Sequence, residues 1–190
     1  MMSFTTDTPT PVERFALEPE SLPPAQRHVY DAILERRGAF PPPYRTLLAS
    51  PDVADMVEKL SARLWSGHLP KDVLETAFLA TARRFQCQEQ WARHEIKARE
   101  VGVPADCIRA ISRGLKPTGE PHIVVAAQVS KRLLSGQLIG PRLWAQAERE
   151  FGPTGIAELS AFLGLASMVA MSINLQDTSL GVAENEADAV

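Results

Sequence analysis

Prolines stand in front of nearly every apolar stretch of this 190-residue chain, and glycines stand behind most of them. Proline is tolerated in the first turn of a helix, where its missing N–H would have no partner anyway, and its fixed φ suits that position. Glycine closes helices because it adopts the left-handed conformation at the C-terminal cap. Read this way, the punctuation predicts helices at about 24–37, 51–65, 70–84, 87–101, 104–114, 121–136, 141–152 and 153–174, with a short turn near 44–49. Alternating Val, Ile and Thr, the signature of a half-buried strand, does not persist beyond a few residues, and Ile123, Val124 and Val125 run into an Ala-Ala-Gln segment that suits a helix better. No repeat of solenoid length is present. The fold class expected is all-α: an oligomeric bundle of antiparallel helices joined by short connections.

The ends differ from the middle. Eight of the 15 prolines fall before residue 44, so residues 1–22 are expected to be an extended or mobile segment, 23–181 the folded domain and 182–190 an acidic mobile tail. Residues 1–22 and 182–190 each carry −3 of the total net charge of −3, which leaves the domain at +3. That balance gives no reason to expect a nucleic-acid partner and suits small anions weakly. Two cysteines, Cys87 and Cys107, are too few for a disulfide framework, and no basic segment followed by an apolar run opens the chain, so a cytoplasmic location is expected. Residues 159–176 lack charge but are diluted by Ser160, Ser167, Ser172, Asn174 and Gln176; a fully buried core helix, covered in an oligomer, is expected there rather than a membrane span.

One segment carries reactive side chains at a meaningful spacing. Cys87, Gln90 or Trp91, and His94 stand at i, i+3 or i+4, and i+7, which sets them along one stripe of a helix. Cys87 falls in the expected first turn, where the helix dipole would lower a thiol pKa. Glu75 lies near the start of the preceding helix, and antiparallel packing would bring it beside the stripe. A carboxylate that orients an imidazole, with a thiol nearby, is a proton-relay arrangement; a polar core contact with a small buried thiol fits the same spacing.

This chain resembles the carboxymuconolactone decarboxylase-like superfamily, which includes the alkyl hydroperoxidase D (AhpD) proteins. The resemblance spans about 23–181 and rests on Gly38–Pro51 (GAFPPPYRTLLASP), on Leu69 and Pro70 followed by Glu75, on Gln90–His94 (QWARH) and on Ala98–Val103 (AREVGV). The peroxidase branch has the order E-x(11)-C-x(2)-C-x(3)-H; here the same register reads Glu75, Cys87, Gln90, His94, so glutamine replaces the second cysteine. The resemblance implies an AhpD-like helical bundle, assembled as a homo-oligomer (trimer or hexamer). A dithiol peroxidase cycle would lack its second thiol at Gln90, and Cys107 lies on the following helix. The decarboxylase branch implies a cofactor-free acid–base lyase acting on a small carboxylated metabolite of aromatic catabolism. In that reading His94 transfers the proton, Glu75 partners it, and Cys87, Gln90 and Trp91 line the pocket, with Gln90 donating a hydrogen bond to a substrate oxygen. A peroxidase that uses Cys87 alone and a non-catalytic oligomeric binding module are the alternatives.

The remaining candidates read as structural. His28, His68 and His122 are expected at the surface or at helix starts, and four histidines on separate segments form no metal-ligand pattern. Arg36, Arg37, Arg83 and Arg84 are expected as solvated charges at helix C-termini. Trp65 and Trp91 suit a core, and no glycine-rich phosphate loop is present. Neither a cofactor nor a metal is expected.

Overall fold

A computed structural model describes residues 14–176. Among these there are eight α-helices and no strand: α1 (Pro24–Arg37), α2 (Pro43–Leu47), α3 (Pro51–Trp65), α4 (Lys71–Arg84), α5 (Gln88–Glu100), α6 (Ala105–Ser112), α7 (Pro121–Leu134) and α8 (Pro141–Asn174). The chain is therefore all-helical over the described residues. Proline opens α1, α2, α3, α7 and α8, and stands just before α4 and α6. Gly38 (φ 71°) and Gly102 (φ 91°) end α1 and α5 in the left-handed conformation that a side chain would disfavour.

Helix α4 is the centre of the molecule and packs against α5, α6, α7 and α8. Its sequence explains why. Val73, Leu74, Ala77, Phe78, Leu79 and Ala82 are apolar around its whole circumference, so no face suits water. The main core gathers α4 with residues of α1, α3, α7 and α8, including Ile33, Val57, Leu74, Phe78, Val129, Leu159 and Phe162. A second cluster lies beyond α4, where Leu79 meets Ala98, Val103, Cys107, Ile108, Ile111 and Ile123.

Two expectations change. The segment before α1 is not wholly extended: residues Pro19–Ser21 form a 3-10 turn, and Leu17 and Leu22 pack against the main core. The earlier part of that segment and the acidic tail at 182–190 lie outside the described residues. Helix α8 is broken at Gly152 (φ 61°, ψ 177°) before Pro153, which divides it where the proline punctuation placed a boundary. Helix α8 as a whole is long and apolar enough to cross a membrane by length and composition, yet 44% of its apolar 18-residue window is buried in the fold. It is not the fully buried helix expected. Phe162, Leu163, Leu165, Ala166, Ala170 and Ile173 face inward, while Met171 and Leu175 are exposed. A single helix presents all its sides, and the other helices of this chain cover only one of them.

Candidate functional site

The turn between α4 and α5 decides what these two helices can share. Gln86 takes a left-handed φ of 52°, which folds the chain back so that α5 runs along α4. Glu75 and His94 then meet. Nδ1 of His94 lies 2.6 Å from Oε2 of Glu75, with the side chains only 12% and 4% exposed. The carboxylate accepts the Nδ1 proton, which sets the tautomer and leaves the Nε2 lone pair for other chemistry. Nε2 makes no hydrogen bond among the described residues, and it is not one of the buried polar atoms that lack a partner, so it faces accessible space.

Aromatic packing fixes the ring. His94 stacks on Phe78 with centroids 3.8 Å apart and an interplanar angle of 8°. Phe78 stacks in turn on Trp65 at 5.8 Å and 15°, and Phe162 meets both edge-on. The imidazole thus has a carboxylate on one edge and an aromatic column behind one face. Such a pair can give or take a proton at Nε2 while Glu75 stabilises the imidazolium.

The other predicted residues diverge from this pair. Gln90 is buried beside it, but its amide nitrogen faces the carbonyl oxygen of Phe78 at 3.5 Å and its Oε1 has no partner. Its unpartnered atom is an acceptor, contrary to the donor role expected. Trp91 packs against the second cluster and donates from Nε1 to Glu95 at 2.8 Å, away from the aromatic column. Cys87 is not in the first turn of α5 but at its N-terminal cap, with its side chain against Ala170 and Ile173 of α8. Burial pushes its thiol pKa up, and this outweighs the nearby backbone N–H of Gln90, which pulls it down. The lowered thiol pKa expected from the helix dipole is therefore reversed. Cys107 is buried in a different cluster, its pKa also raised by burial, and both thiols are free. No family profile and no curated protein matches this chain.

Several polar contacts were not legible as such in the sequence. Glu58, on the inward side of α3, accepts hydrogen bonds from Arg37 Nε (2.8 Å), Arg36 Nη1 (3.2 Å) and the Tyr44 hydroxyl (2.6 Å). The two arginines are exposed, as expected, and also ion-paired to Glu58, and burial beside Glu58 pushes the Tyr44 hydroxyl pKa upward. The sequence offered one signal: a glutamate at a position where the helical period calls for an apolar residue. His122 Nε2 lies 2.7 Å from Asp72 across the starts of α7 and α4. Exposed His68 contacts Glu158, whose carboxyl pKa is held down chiefly by the backbone N–H of His68. Among the described residues no group of three or more His, Cys, Asp or Glu side chains converges on one point.

Proposed function

We propose that this chain is a cofactor-free acid–base lyase of the carboxymuconolactone decarboxylase-like kind, taking a small carboxylated metabolite as substrate. The observation that carries the reading is the Glu75–His94 pair at 2.6 Å, with Nδ1 committed to the carboxylate and Nε2 open. Loss of CO₂ from a lactone acid breaks the C–C bond to the carboxylate and leaves its electron pair on the ring as an enolate. Nε2–H of His94, in its protonated form, delivers a proton to that carbon, and solvent restores the proton afterwards. Glu75 holds the ring in register and balances its charge. General acid–base assistance of this kind contributes about 10²–10⁴ in rate. A dithiol peroxidase cycle finds no support, because Gln90 has no thiol and the buried Cys87 and Cys107 belong to separate clusters. The free thiols fit the reducing, cytoplasmic setting proposed for the protein.

The test is CO₂ release from a panel of carboxylated lactones. Turnover of at least one is expected, with His94→Ala abolishing it and Glu75→Gln reducing it by a smaller factor, while circular dichroism shows the helical content unchanged. Turnover by His94→Ala equal to that of the parent chain sinks the proposal.

A further inference from the structure

A second feature lies at the other end of α4. Glu75 and Arg83 are eight residues apart, about 12 Å along the helix axis, so the two places are separate. A cleft of about 1090 Å³ opens there between the end of α4, the α6–α7 connection, the last turns of α7 and the start of α8. Six cations line it: Arg83, Arg84, Lys116, Lys131, Arg132 and Arg142. No carboxylate does, in a chain that carries 23 Asp and Glu.

Cations at helix C-termini cap the last carbonyl groups. Three of the six do so in part. Arg83 Nε donates to the carbonyl of Ser112, Arg84 Nε to that of Leu134, and Lys131 Nζ to that of Gly114. Capping is too small to absorb the charge. Three helix ends, those of α4, α6 and α7, supply roughly −0.5 each against six full positive charges. Both guanidiniums spend only Nε on a carbonyl, which leaves their terminal N–H groups available for a planar anion. None of the six makes an ion pair among the described residues, and Lys116 and Arg142 make no hydrogen bond from their side chains there either. The uncapped start of α8 adds to the same field, since Gly140 provides no side-chain cap and the backbone N–H groups of Arg142 and Leu143 have no partner among the described residues. Ile111, Leu115, Leu134 and Leu143 give the cleft apolar surface as well.

We propose that this cleft binds a small organic anion bearing two or more phosphate or carboxylate groups on an apolar body. The anionic groups lie among the six cations and the start of α8, and the apolar body rests on the leucines. The cleft is partly open, and its volume, bounded by residues of four helices, is of the order of a small-molecule site rather than an extended groove for a nucleic-acid backbone.

Titration calorimetry with sodium tripolyphosphate and with citrate, at physiological ionic strength, tests the proposal on the full chain. One of the two probes is expected to saturate at one per chain, and which one does identifies phosphate or carboxylate as the preferred group. In the double variant Lys116→Gln, Arg142→Gln the affinity should fall about tenfold or more, as expected for the loss of two charge-assisted contacts. Neither side chain makes a contact the fold depends on, so circular dichroism should not change. Failure of both probes to saturate overturns the proposal, as does equal affinity in the double variant. Binding of a single-stranded oligonucleotide that tightens with its length, where neither short probe binds, also overturns it and makes the cleft a nucleic-acid surface. None of these readouts depends on turnover at His94.

Discussion

At the scale of single residues, burial decides which groups are chemically available. Cys87 is 2% exposed and its thiol pKa is raised, so less of it is thiolate at neutral pH than of an ordinary exposed cysteine. The sign is set by desolvation, which penalises the charged form. Alkylation by iodoacetamide, followed by mass spectrometry, should therefore be slow in the folded protein and should accelerate only as the pH climbs above the usual thiol range or as denaturant opens the chain. Rapid labelling of Cys87 at pH 7 under native conditions would contradict this placement and restore a redox role. His94 stands at the opposite extreme. Its ring is held on one edge by Glu75 and behind one face by Phe78, and Nε2 alone remains open. Cys87 and His94, seven residues apart, thus end in different surroundings: one enclosed, one with an open edge.

At the scale of elements, the break in α8 matters most. Gly152 has φ 61° and ψ 177°, a region of backbone space that only glycine occupies without strain. It lets α8 change direction after its first half, so that the first half borders the basic cleft and the second packs on α4. Gly155 follows in the close turn; a Cβ there would meet the Cβ of Phe151 at 2.8 Å and Leu69 at 3.2 Å. Gly152→Ala is expected to cost about 1–3 kcal/mol through backbone strain, which for a chain of this size lowers Tm by about 2–4 °C per kcal/mol. Thermal denaturation followed at 222 nm measures it; an unchanged Tm would mean that the break is not needed to place the second half of α8.

At the scale of the whole molecule, the outward side of α8 carries Ala161, Gly164, Met171 and Leu175, with the partly buried Met168 between them at helical spacing and no charge among them. Met171 and Leu175 are 48% and 53% exposed. Small and flexible apolar residues in such a row leave room for a second helix to approach closely. The homo-oligomer implied by the family resemblance would cover this row. Light scattering at micromolar concentration is expected to give a multiple of the 20.8 kDa chain mass, and Gly164→Glu, where the added side chain meets open space within one chain, should shift it to the monomer. A parent chain that is already a monomer overturns the expected homo-oligomer.

The helix boundaries were legible in the sequence because their causes are local. Proline acts within a turn of itself and glycine at a single φ, so α1 begins at Pro24 and ends before Gly38, and α3 begins at Pro51. The pairing of Glu75 with His94 was within reach for the same reason, since two consecutive antiparallel helices joined by a tight turn at Gln86 leave few registers. Spacing along one helix could not say which neighbour each side chain meets. Only tertiary packing turned Cys87 toward α8, Trp91 toward the second cluster and the Gln90 amide nitrogen toward Phe78. The burial of Glu58 under Arg36, Arg37 and Tyr44 brings together three helices, and the six cations of the cleft come from α4, the α6–α7 connection, α7 and α8. Exposure and pKa depend on groups distant in the chain and close in space, and that closeness exists only once the helices have packed.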